Sequence, residues 1–251
     1  MPVPSTEQLK RAISGFFTYC NFPNCVGTID GKHCRVIVHQ TLGRYTKITK
    51  TFPFVLQGVA DAEYKLVTTE VGGRGIQSDG GTFSTFALYE SLESNQINMP
   101  PDQELLGTTK KSPNVLFWDE AYPLKTYILN HTLEKNLTLE RNMFKYELFR
   151  AHRCIECAFG ILYSKWRILG KDKETSVEKT VVIIKCACIL YIVVWERDGK
   201  NDPIYRIILD RIFESDTNFN NNKDVGGTTE QLTELCMFVK LSQITFQHAV
   251  S

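Results

Sequence analysis

The sequence is short of several things, and each shortage removes a class of protein. Charge imbalance is nearly absent: 29 Lys and Arg face 28 Asp and Glu, a formal net charge of +1. A chain this balanced lacks the whole-surface electrostatic pull of a generic nucleic-acid binder, so any contact with DNA must come from local basic patches. Long apolar runs are missing too. The most apolar stretch, 181–195, is interrupted by Lys185 and falls short of the roughly 20 residues that span a bilayer; it reads as a buried helix. There is no charged-then-apolar leader with a small-residue cleavage site at the N-terminus. The eight cysteines (20, 25, 34, 154, 157, 186, 188 and 236) are therefore expected to be reduced intracellular thiols. Without a leader, the glycosylation spellings at Asn130 and Asn136 carry no weight. No internal repeat is present.

What remains is an ordinary globular composition, 43% hydrophobic over 251 residues, enough for one main domain with a substantial core. Residues 25–30 form a short β-branched apolar run that ends in Asp30 and Gly31, the pattern of a buried strand stopping at a carboxylate. Residues 34–38 predict a second strand. Residues 54–60 and 64–71 predict two antiparallel strands joined by the short turn Asp61-Ala62-Glu63, whose acids read as turn residues. The glycine-rich stretch 71–81 suits neither regular element. A helix over 83–93 follows, capped by Ser78 or Asp79, and then a strand over 114–119 that ends in Asp119.

From Leu139 to Arg167, Phe144, Leu148, Ala151, Ile155, Phe159, Leu162 and Trp166 recur every three or four positions, the signature of an amphipathic helix. Glu156 lies inside it among Ile155, Ala158 and Phe159, where a buried carboxylate is costly unless paired or metal-bound. A further helix is expected over about 176–196, followed by an Asn- and Asp-rich linker at 214–224 and an appendage. The expected organisation is a helical lead-in over 1–21, a catalytic domain over 22–197, and a linker with its appendage over 198–251. The order is strand, hairpin, helix, strand, long helix, which predicts an α/β sheet domain with its acids converging at one sheet edge.

That arrangement of acids has a chemistry. Phosphodiester cleavage without a protein nucleophile uses divalent metals about 3.5–4 Å apart. Hard cations such as Mg²⁺ take oxygen ligands, so the signature is three or four carboxylates on different elements. Asp30, Asp119 and Glu156 fit it, and their carboxyls are expected to converge within roughly 8 Å. The residues 22–33 (FPNCVGTIDGKH), 71–83 (VGGRGIQSDGGTF), 118–124 (WDEAYPL) and 156–169 (ECAFGILYSKWRIL) resemble, in order, the blocks of the PIF/Harbinger transposases and the Harbinger-derived nucleases of animals.

The resemblance runs from about residue 20 to about residue 195. It implies an RNase H-like DDE core in a mixed sheet flanked by helices. It further implies catalytic metal ligands at Asp30, Asp119 and Glu156, and Mg²⁺ or Mn²⁺ as cofactor. DNA is the implied substrate, and a location in the nucleus is also expected. Asp79 matches a further acid of the family and admits two readings, an additional metal ligand or only a helix cap. A Myb/SANT-like protein is the DNA-binding partner that the resemblance suggests, since the upstream helix-turn-helix region of such transposases is not in this chain.

Between 141 and 173 basic residues outnumber acids, and Arg150, Arg153, Lys165 and Arg167 are the candidates for contact with a phosphate backbone. Their alternative is a solvated helix face. Cys154 and Cys157, with His152 nearby, spell half of a zinc site and lack the second ligand pair. His33 and His39 read as ordinary strand neighbours.

Several positions depart from the family. Ser78 stands for a common His, Gly80 for a Ser, Trp118 for a Gly, His152 for an Arg and Tyr163 for a Lys, while Leu190-Tyr191-Ile192 replaces a Leu-His-Asn. Loss of outer-shell partners weakens metal sites roughly 10- to 100-fold. Three readings follow: a metal-dependent nuclease, a domesticated binder that no longer cuts, or a decayed transposon relic.

Overall fold

A computed structural model describes residues 4–42, 46–74, 87–94, 96–104, 109, 111–118, 127–130 and 139–210. Asp79 and Asp119, the predicted cap at Ser78, and the linker and appendage beyond residue 210 lie outside them; the first part of the expected linker, 198–210, is instead largely helical, with Tyr205 buried in the core. Helix α1 (Thr6–Cys20) opens the chain. Ser5 caps it in a reciprocal box, its hydroxyl accepting from the Gln8 amide while the Gln8 side chain accepts from the Ser5 amide. Then come β1 (Cys25–Leu42), β2 (Thr46–Ala60), β3 (Leu66–Arg74), α2 (Ala87–Glu93), β4 (Gln103–Glu104), β5 (Lys111–Ser112), β6 (Val115–Trp118) and β7 (Ile128–Asn130). Two long helices, α3 (Leu139–Lys165) and α4 (Val177–Asp198), follow.

The main sheet has the order β3-β2-β1-β6-β7. The first three strands are antiparallel neighbours, and β6 and β7 run parallel to β1. An antiparallel meander extended by two parallel strands, with helices on the sheet's faces, is the RNase H-like arrangement.

One expectation about β1 is corrected. Residues 25–30 and 34–38 are not separate strands: β1 runs unbroken through Asp30 and Gly31, pairing with β2 along its whole length. Gly31 is tolerated because the ladder to β2 holds the backbone extended on both sides of it, so the glycine breaks nothing. Asp30 is nevertheless at an end. Among the described residues its neighbour β6 pairs with β1 from Cys25 to Thr28, and the same edge of β1 is next engaged at Val36, by Lys173. The predicted hairpin is present, with a turn in which Asp61 accepts the amides of Glu63 and Lys65, both at 2.9 Å, and Tyr64 takes a positive φ of 65°.

The two faces of the sheet carry separate cores. Val26, Ile29, Val59, Leu116 and Trp118 pack against Leu9 and Ile13 of α1 and Leu88 and Leu92 of α2. Cys34, Leu56, Ala60 and Leu66 pack against Ile155, Ala158, Phe159 and Leu162 of α3 and Ile184 and Tyr191 of α4. Five residues of the predicted stripe are buried in α3, Leu148, Ala151, Ile155, Phe159 and Leu162, all at most 2% exposed, whereas Trp166 lies just beyond the helix and is half-buried. Helix α4 departs from the fully buried helix expected of so apolar a run. It buries Thr180, Ile184, Ala187, Cys188 and Tyr191 and leaves Val182, Ile189, Leu190 and Val193 exposed, because it lies at the margin of the sheet against β3. No helix among the described residues is long and apolar enough to cross a membrane.

Candidate active site

The site is built where α3 crosses β1 and β2. Asp30 pairs with Gly58 across the β1–β2 ladder, so both point to the same face of the sheet. A side chain at position 58 would meet the Phe159 ring of α3 at 3.1 Å. Glycine there lets the helix lie close on the sheet, beside Asp30. One turn before Phe159, Glu156 and His152 stand four residues apart on one side of α3.

The electrostatics of Asp30 report this convergence. Its carboxyl is raised above the ordinary carboxylate range, first by burial and further by the negative charge of Glu156; the Gly31 amide, His152 and Lys32 act in the opposite direction. Asp30 Oδ1 accepts the Gly31 amide at 2.7 Å, and Oδ2 has no hydrogen-bond donor among the described residues. Two carboxylates that repel each other across a strand and a helix are an arrangement that a cation stabilises. Their oxygens are the donors a hard divalent ion prefers. The residues present thus fit such an ion, although no group of three or more ligating side chains occurs among the described residues, where Asp79 and Asp119 are not included.

Glu156 differs from expectation in one respect. It is exposed, so the cost of burial does not explain it. Its apolar sequence neighbours Ile155, Ala158 and Phe159 are buried, but successive helical residues point about 100° apart, and Glu156 looks away from the core they enter. The charge is solvated on the protein's outer side and available to a ligand.

His152 is the residue that sequence reading undervalued, noting it only as a replaced Arg and a possible zinc neighbour. Its ring meets Phe117 of β6 edge-on at 5.6 Å between centroids, it acts electrostatically on Asp30, and its buried Nδ1 has no hydrogen-bond partner among the described residues. The spacing of four from Glu156 was the available signal. Phe117 and Trp118 lead directly into Asp119 in the chain. Trp118, where the family commonly has Gly, is fully buried in the core on the α1 face.

The basic candidates do not form one surface. Arg150, 3.6 Å from Glu147, and Arg153 line a cavity beside α1. Lys165 is engaged by Asp202, and Arg167 is exposed in the short turn after α3. Lys173, part of the basic surplus, is buried, with Nζ donating to the carbonyls of Leu169 and Lys171 at 2.8 Å. Cys154 faces α1 rather than Cys157, and His33 is exposed on β1.

A family model of the DDE superfamily endonucleases matches residues 29–191, from the strand carrying Asp30 through α3 and most of α4. The chain belongs to that family. No curated protein and no solved structure matches it significantly. Membership makes this a nuclease-type domain, in a family that generally uses divalent metals and acts on DNA.

Proposed function

We propose that the chain is a divalent-metal-dependent DNA endonuclease of the Harbinger transposase type. Asp30, Asp119 and Glu156 are its metal ligands and Asp79 a fourth, looser one. The observation that carries the reading is that α3 lies across β1 and brings Glu156, 126 residues from Asp30 in sequence, close enough for its charge to add to the burial that chiefly raises the Asp30 carboxyl. Asp119 follows the last residue of β6, the strand that pairs with β1 just before Asp30. Bound Mg²⁺ or Mn²⁺ would activate water and stabilise the leaving 3′ oxygen. The chain's own part is to hold Asp30 with one oxygen committed to the Gly31 amide, to present Glu156 from the solvent side, and to place His152 beside Asp30. Arg150, Arg153 and Arg167 supply backbone contacts, with Lys165 contributing least because Asp202 engages it. The nucleus is the place of action on this reading, and a Myb/SANT-like partner would provide sequence recognition.

The test is plasmid cleavage by the purified protein with Mg²⁺ or Mn²⁺ against EDTA. Asp30→Asn and Glu156→Gln should each lower cleavage by at least 100-fold and abolish metal-induced thermal stabilisation, while DNA binding persists with its salt dependence. Metal-dependent cutting by Glu156→Gln at the parent's rate would refute the assignment of that residue. A parent that binds DNA and never cuts would favour the domesticated, non-cleaving reading.

A further inference from the structure

The two thiols that α1 and α3 bring into contact have no part in that chemistry. Cys20, the last residue of α1, and Cys154 of α3 lie with their sulfurs 3.7 Å apart, 134 positions apart in the chain. Both are at most 3% exposed, yet both line a cavity of about 350 Å³ that also reaches Tyr19, Arg150, Arg153 and Lys200. A small polar molecule therefore has space beside the sulfurs, with Arg150 and Arg153 on the wall and Lys200 paired with Glu63 at 2.7 Å. None of the seven described cysteines is in a disulfide, and Cys20 and Cys154 are in sulfur-to-sulfur contact.

We propose that Cys20 and Cys154 form a reversible redox bridge, oxidised by a small peroxide that enters this cavity. Closing from 3.7 Å to the roughly 2.05 Å of a disulfide takes about 1.7 Å of approach, shared between two side-chain rotations and a small shift of the helices. Cys20 ends α1 and lines the same cavity as the guanidinium groups of Arg150 and Arg153, where positive charge favours a thiolate, and it is assigned as the first nucleophile. The Cys20 thiolate attacks one peroxide oxygen; the S–O bond forms, the O–O bond breaks, and hydroxide leaves to take up a proton as water. Cys154 then attacks the Cys20 sulfur. The S–S bond forms, the S–O bond breaks, and the departing hydroxide takes the Cys154 proton as a second water. Two thiols lose two electrons and the peroxide gains them. The bridge ties α1 to the helix that carries Glu156, and a dithiol reverses it.

The experiment treats the full chain, fully reduced, with hydrogen peroxide, blocks the remaining thiols with iodoacetamide and maps peptides without reduction. Fragmentation must assign the bridge to Cys20 and Cys154 rather than to Cys25 and Cys157 nearby. A Cys20–Cys154 link in most molecules, lost on adding dithiothreitol and accompanied by a rise of several degrees in Tm, is expected, since it closes a loop of 134 residues. In Cys154→Ala the sulfenic acid on Cys20 has no partner, and dimedone should label it at least tenfold more than in the parent. Oxidation confined to exposed Cys186, or dimedone labelling of Cys20 in the parent equal to that in the variant, would overturn the proposal. The parent's peptide map decides the question even if the variant fails to fold.

Discussion

Replacing Asp61 by Asn should stabilise the protein at neutral pH and do nothing at pH 4. The carboxyl of Asp61 lies in the β2–β3 turn, where burial pushes its pKa from 3.8 to about 6 despite the amides of Lys65 and Glu63 that it accepts. Because the folded pKa is the higher one, the group favours the folded state below about 3.8. That contribution disappears as pH rises through about 6. A displacement of about two units corresponds to roughly 3 kcal/mol between the two ends of this window. Asn carries no charge to desolvate, and its Oδ1 can accept the same two amides. The displaced pKa already includes the favourable effect of those two bonds, so the expected net gain is about 2–3 kcal/mol at pH 7.5, fading to nearly none at pH 4. Urea unfolding of parent and variant at pH 4, 5, 6 and 7.5 measures it, and Asp61→Ala, which loses the turn's acceptor, should be destabilised throughout. A difference between parent and Asp61→Asn that does not vary with pH would refute the argument.

Other consequences follow from packing. Gly27→Ala places a Cβ 2.6 Å from Val59 Cγ1 and 3.2 Å from Leu116 Cδ2, so thermal melting should show a loss of about 1–3 kcal/mol. Ile155→Ala empties a fully buried site between α3 and the sheet and should cost about 2–5 kcal/mol in urea unfolding. Ser176, whose hydroxyl accepts the Lys179 amide at the start of α4, should lose about 1 kcal/mol on replacement by Ala. Lys165→Ala removes the partner of buried Asp202; its main effect should appear in the melting temperature, with DNA affinity in fluorescence anisotropy less affected than by Arg167→Ala.

Much of the fold was legible because periodicity reports burial directly. The every-three-or-four pattern of α3 named the residues that are now buried, and the short turn between 60 and 64 marked the hairpin. The strand at 114–119 was recoverable from four apolar residues before an acid. The errors share one cause, which is that neighbours in sequence are not neighbours in space. Gly31 looked like a strand end, but the ladder to β2 carries the backbone through it. Glu156 looked buried by its apolar neighbours, but the helix turns it outward. Lys165 and Lys173 were counted as part of a basic face, but one meets Asp202 and the other two carbonyls.

The sequence by itself determined the elements and the order of the acidic blocks, since local pattern and ordered motifs survive in one dimension. Only the tertiary structure decided which side chains share a field. The distance between Asp30 and Glu156 depends on how closely α3 can lie on the sheet, and that is set by Gly58 beneath Phe159. The position of His152 against Phe117 and the contact between Cys20 and Cys154 arise in the same way, from the angle at which helices separated by more than a hundred residues meet the sheet and each other, a quantity that packing determines and no local pattern encodes.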